Sequence, residues 1–271
     1  NSGGIVIEAD TLSLLDMGQL SASTGGKGDA GQVQVTAQEV LIQGEDSEEF
    51  ATGIFSLVGP QGEGNAGTIS LTTSNLTLSD QGTITAETRG DGNAGSINVN
   101  ATEAVILGEQ TALSVVTSGS GTPGNINLTS PNLTIGTDAQ LSATVTKSST
   151  NQAGGGNITL NTSNLDISGE LGIFAETASQ APAGDLNIQP NGDKANLNIR
   201  FRDEGFISTR TTSAGKGGAI TIAAPERLDI RGEGSITAET QGSGNAGNIT
   251  LSAETVNLNQ SQVLASTSAD S

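Results

Sequence analysis

The chain has 271 residues, 33% of them hydrophobic but only 2% aromatic, with five Phe and neither Tyr nor Trp. It holds no Cys and no His, which excludes disulfide frameworks, thiol chemistry and most zinc and iron sites. A formal net charge of −19 argues against a nucleic-acid partner, since nothing here would displace counterions from phosphate, and equally against anionic membrane surfaces.

Apolar residues come in short alternating pairs from the first residues onward. The first unit reads Ile5/Ile7, Leu12/Leu14, Leu20/Ala22, and the second Val33/Val35, Val40/Ile42, Ile54/Ser56. The third reads Ile69/Leu71, Leu76/Leu78, Ile84/Ala86, and the fourth Ile97/Val99, Val105/Leu107, Leu113/Val115. The fifth reads Ile126/Leu128, Leu133/Ile135, Leu141/Ala143, and the sixth Ile158/Leu160, Leu165/Ile167, Ile173/Ala175. The last three are Leu186/Ile188, Leu197/Ile199, Ile207/Thr209; Ile220/Ile222, Leu228/Ile230, Ile236/Ala238; and Ile249/Leu251, Val256/Leu258, Val263/Ala265. Such alternation marks half-buried strands, whereas a helix needs apolar residues at i, i+3 and i+4 in longer runs. No apolar run approaches the roughly 18 residues of a spanning helix, so membrane insertion is not expected.

A glycine opens every unit: Gly4, Gly31, Gly67, Gly95, Gly124, Gly156, Gly184, Gly218 and Gly247. The base period is near 28 residues. The pattern predicts an all-β chain, a parallel β-helix of about nine coils with three short strands each, forming one repeat domain over residues 1–271. Leucine-rich repeats have other internal spacings, and propeller blades need four antiparallel strands. The link into each first strand carries the phrase seen as GEGNAGTISL, GDGNAGSINV and GSGNAGNITL. It precedes a strand rather than a helix and lacks GK[ST], so it is a poor phosphate cradle. Its glycines are expected to supply a sharp turn through positive φ. The small second residue of the third pair is expected to admit a crowded corner. Longer links at residues 44–50, 146–154 and 189–196 are expected as surface loops. Neither end looks capped, so the chain reads as an excerpt of a longer protein, with end-to-end self-association as one expectation.

The units, clearest at residues 244–267 (GNAGNITLSAETVNLNQSQVLAST), resemble the repeat regions of filamentous-haemagglutinin-like exoproteins of two-partner secretion, closest to cyanobacterial members. The motif N-A-G-x-I-x-L, followed by V-x-L and G-x-I-x-A, recurs along essentially the whole chain. The resemblance implies a right-handed parallel β-helix, export through an outer-membrane β-barrel transporter, and an extracellular or cell-surface location. It implies no single activity, because family members include adhesins, cytolysins and contact-dependent toxins.

Candidate sites are few. Arg89, Gly90 and Asp91 spell an adhesion triplet, which glycine-rich acidic corners also generate by chance. Asp166, Asn198, Asp229 and Asn257 read as one outward ladder on the second strand, with oxygen ligands that suit calcium. Its two carboxylates would lie two coils apart, roughly 9–10 Å, which is too far for one ion and favours a solvated face. The acidic run Glu45, Asp46, Glu48 and Glu49 is a second candidate for calcium, although charge runs are mostly solvated. No cofactor is expected otherwise. Many parallel β-helices are polysaccharide lyases or hydrolases, but the acids here look scattered and no acidic or basic pair groups on one face. The outward positions of the third strand (Ser21, Thr85, Ser142, Phe174, Ser208 and Thr237) are too irregular for an ice-binding array. The reading is therefore a non-enzymatic rod, an adhesin or structural fibre contacting extracellular polysaccharide or neighbouring cells, with a carbohydrate-active enzyme as the alternative.

Overall fold

A computed structural model describes residues 2–45, 51–146 and 154–268. Among them there are 21 strands and no helix. Every pairing between strands is parallel and joins one coil to the next, giving a solenoid of about nine coils. In-register partners of the first strand run Ile5, Val33, Ile69, Ile97, Ile126, Ile158, Leu186, Ile220 and Ile249, so the aliphatic ladder follows the sequence pattern. With about 4.8 Å between strands, the rod is roughly 40 Å long.

The three-strand coil is modified by proline. In the first four coils the first and second faces share one bent strand: Ile5–Leu15, Val33–Gln43, Ile69–Ser79 and Ile97–Leu107. All five later coils split at this corner; in the fifth, seventh and eighth, Pro131, Pro190 and Pro225 stand there and remove a ladder donor, while the ninth splits at Ala253 and Glu254 without one. The sixth coil splits too, because Ser163 and Asn164 both donate their N–H to the Pro131 carbonyl at 3.1 and 3.0 Å. The third face is built from Gln19–Ser21, Gly53–Val58, Thr83–Thr88, Ala112–Thr117, Gln140–Val145, Ile173–Thr177 and Phe206–Thr211. In the last two coils it continues from the second face within Arg227–Thr240 and Thr255–Thr267.

The alternating aliphatics fill the tube, and those of the middle coils are wholly buried. The glycine that opens each coil has a different role from the one its sequence suggests. Gly31, Gly67, Gly95, Gly124, Gly156, Gly184, Gly218 and Gly247 stack in a column, and a Cβ on any of them would lie 1.8–2.1 Å from the carbonyl oxygen of the column glycine one coil before. None of the eight has positive φ, so close approach of backbones, not turning, excludes other residues. The column starts at Gly3 rather than Gly4, since Gly31 backs onto the Gly3 carbonyl. Positive φ belongs to a neighbouring column, at Gly64 (151°) and Gly92 (136°).

The small residue of the third strand does face this crowded corner. Ser56 Oγ accepts the Gly67 N–H at 2.7 Å and donates to the Gly31 carbonyl at 3.2 Å. The Asn of the repeated phrase is a rung. Asn65 Oδ1 accepts the Asn93 N–H at 2.9 Å, and Asn93 Oδ1 accepts the Thr122 N–H at 2.8 Å. Backbone donors that a glycine corner would leave to solvent are thereby satisfied from the preceding coil.

The seventh coil departs from the expected register. Leu165 pairs with Ile199 and Ile167 with Phe201, so the second strand is shifted by two residues and Phe201 enters the core. The extra bulk is accommodated in the eighth coil. A Cβ at Gly234 would stand 2.3 Å from the Phe201 ring, and the ladder carries a bulge between Arg231 and Gly234.

Candidate functional site

The shift removes Asp166 from the expected Asp166–Asn198–Asp229–Asn257 ladder, whose other three members stay in register. Asp166 pairs with Arg200, while Asn198 pairs with Asn164 on one side and Asp229 on the other. The amide ladder is Asn132, Asn164 and Asn198, with Nδ2–Oδ1 hydrogen bonds of 3.0 Å each, and it ends at Asp229, which accepts from Asn257 at 2.7 Å. Asp229 also accepts from Arg227 Nε at 2.6 Å, and this bond holds its carboxyl below the usual Asp range. Asp166 lies 3.4 Å from Arg202 and 3.9 Å from Arg200. Both carboxylates therefore face guanidinium groups, and no group of three or more acidic side chains among the described residues is arranged around one metal position.

Asp46, Glu48 and Glu49 lie outside the described residues. Glu45 borders an open depression of about 510 Å³ with Asp16 and Asp80. The Asp80 carboxylate accepts from Gln43 at 3.0 Å. Arg89, Gly90 and Asp91 sit in the corner ladder rather than on a projecting loop. Arg89 donates twice to Glu87, at 2.7 and 3.2 Å. Gly90 abuts the Gly62 carbonyl. Asp91 is bridged to Glu63 through the backbone, and its carboxylate accepts from Ser120 at 2.9 Å.

Chemistry concentrates instead on the outward side of the third face. Its middle column runs Ser21, Phe55, Thr85, Ser114, Ser142, Phe174, Ser208, Thr237 and Leu264 in register. Thr85, Ser114, Ser142 and Ser208 are buried although they point outward, which makes them a floor of small hydroxyl residues. Thr85 and Ser114 share a hydrogen bond of 3.1 Å. Beside this floor the sixth, seventh and eighth coils place Glu176, Arg210 and Glu239 in register. Arg210 Nη2 donates to Glu176 at 3.1 Å, and its Nε is also 3.1 Å from Glu176 in ion-pair contact without alignment for a hydrogen bond.

Phe174 and Phe206 stack with ring centroids 6.3 Å apart and planes 24° from parallel. Phe206, Glu176, Arg210 and Glu239 line a depression of about 240 Å³ with Ser208, Ser235, Thr237 and Glu204. Glu204 reaches it from the corner turn, where it holds a φ of 63°. Folding thus groups three acids and a base that look scattered in sequence. In the sequence the column's aromatic members, Phe55 and Phe174, stand out among its small hydroxyl residues. No protein-family model, curated protein or solved structure matches the chain.

Proposed function

We propose that this chain is a non-enzymatic surface rod of the cell exterior that holds polysaccharide along its third face. The reading rests on the stacked Phe174–Phe206 pair beside a floor of small hydroxyl groups and the Glu176–Arg210–Glu239 column. Aromatic rings offer an apolar body to sugar faces, and carboxylates and guanidinium groups accept from and donate to sugar hydroxyls. The stiff, in-register stack supports a mechanical role, with many weak contacts adding along the rod. Phe55 lies on the same column four coils away, roughly 19 Å, and gives a linear chain a second ring to rest on. Export through an outer-membrane β-barrel and residence at the cell surface belong to the same reading, and they rest on the resemblance of the repeats alone.

Binding of the purified chain to the producing cells and to their extracellular polysaccharide, with calcium and with chelator, tests this reading. Saturable binding in both buffers is expected, and its absence in both leaves a passive spacer. Loss under chelation would instead make the acidic corner near Glu45 a cation site.

One observation favours a second reading, a polysaccharide hydrolase or lyase. Glu176, Glu204 and Glu239 border one depression with Arg210, and glycoside hydrolysis uses two carboxylates flanking the bond. Release of reducing ends or unsaturated products, abolished by Glu204→Gln or Glu239→Gln, would replace the binding role with an enzymatic one.

A further inference from the structure

Seven of the ten basic residues fall between Lys194 and Arg231, against four acids in the same stretch. That stretch carries 7 − 4 = +3, and the remainder of the chain therefore carries −19 − 3 = −22. The fold gathers four of these cations on the outward second face of coils seven and eight. Arg200 and Arg231 are direct cross-strand partners. Arg202 lies two residues along the seventh strand from Arg200, and Arg227 four residues along the eighth from Arg231.

Like charges directly opposite one another are unfavourable in a sheet, and the neighbouring acids do not balance them. Asp166 is shared between Arg200 and Arg202, at 3.9 and 3.4 Å. Asp229 is taken by Arg227 at 2.6 Å and by Asn257 at 2.7 Å, and it attracts Arg231 only at longer range. No ion pair within 4 Å joins Arg231 among the described residues, and both Arg200 and Arg231 are exposed. Four guanidinium groups thus face two carboxylates, and the surplus sits on adjacent rungs about 4.8 Å apart. Long side chains on adjacent rungs can converge on one carboxylate, which accepts from several planar donors at once.

We infer that the Arg200–Arg231 rung binds the carboxylate groups of an acidic polysaccharide, one built on uronic acid. This deepens the polysaccharide-binding reading and rests on it. The seventh coil joins the two surfaces: its second strand ends at Arg202, and its third strand begins at Phe206. A thin, flexible polymer touches the arginine band alone, whereas a second copy of this rod would bring its own acidic corners against the −22 remainder. At physiological salt, charges beyond about 8 Å are screened, so the band acts locally despite the net charge.

The test measures binding of polygalacturonate and of a neutral glucan of matched length to the 271-residue chain. It compares Arg200→Gln/Arg231→Gln with Lys27→Gln/Arg89→Gln, which makes the same change in net charge elsewhere. The expected result is salt-sensitive polygalacturonate binding that weakens about tenfold or more in the first variant and little in the second. Neutral glucan binding is expected to be unchanged in both. Arg231→Gln alone, at an exposed position, serves if the double variant does not fold, and an intermediate loss is expected. Equal losses in the two double variants would overturn the assignment, as would polygalacturonate binding no tighter than the glucan's. A concentration-dependent dimer abolished by Arg200→Gln/Arg231→Gln, without polymer binding, would give the band to a second copy instead. Neutral glucan binding alone overturns the arginine site and leaves the groove standing; binding of neither polymer overturns both.

Discussion

Single residues in this rod are constrained chiefly by backbones that pass close to one another. Gly95 shows the rule: a Cβ there would stand 2.0 Å from the Gly67 carbonyl oxygen. The colliding partner is main chain, fixed by the ladder, so rotamer changes give no relief. Gly95→Ala is expected to lower the unfolding free energy by about 3 kcal/mol, read from urea denaturation. Gly25→Ala, with nothing within 4 Å of the added carbon, is expected to be nearly silent. Equal effects at the two sites would contradict the column. Asp229 gives a second residue-scale test. Its folded-state carboxyl titrates below the ordinary Asp value, first through the Arg227 hydrogen bond. A depressed acid contributes stability above its unfolded value, and that contribution is lost as pH falls through the folded one. The carboxylate is half-buried but its partner Arg227 is exposed to solvent that screens the pair, so the effect on stability is small. Its carbon-detected NMR titration is therefore the better readout, with Arg227→Gln expected to return the midpoint toward the ordinary Asp range.

Elements depend on register, and register decides which side chains meet. Phe201 fills the core only because Gly234 leaves space in the following coil. Gly234→Ala is expected to destabilise by about 1–3 kcal/mol. Adding Phe201→Leu should recover part of that loss, a non-additivity that thermal unfolding of the single and double variants would reveal. Additive losses would mean that the two positions do not share the space. The alternating aliphatics made the strands, the parallel stacking and the coil number legible in sequence, because each inner pair has one face to hide and a copy near 28 residues on. Contacts between coils were less legible. Glu176 and Arg210 are 34 residues apart, across a coil lengthened by its loop. Matching aliphatic pairs by their order in the chain sets Asp166 beside Asn198, whereas the two-residue shift that brings Phe201 inward sets it beside Arg200. The glycine column was visible as a repeat, but its cause, carbonyls at closest approach, is a relation between coils.

At the scale of the whole molecule the described residues form an acidic rod that carries a basic band on its second face and an open groove on its third. Its core has almost no aromatic content, so the partly exposed Phe174 and Phe206 are rings that packing of the tube does not explain. That surplus, set beside the Glu176–Arg210–Glu239 column, carries the binding role proposed for the third face. The most direct measurement is the binding isotherm of the chain on its producer's extracellular polysaccharide, compared with that of Phe174→Ala/Phe206→Ala. Circular dichroism and the urea midpoint confirm that both retain the fold. The account predicts saturable binding by the unaltered chain and a loss of about tenfold or more in the variant, of the order of stacking two rings against a ligand. Identical isotherms, or no binding by either chain, would contradict it.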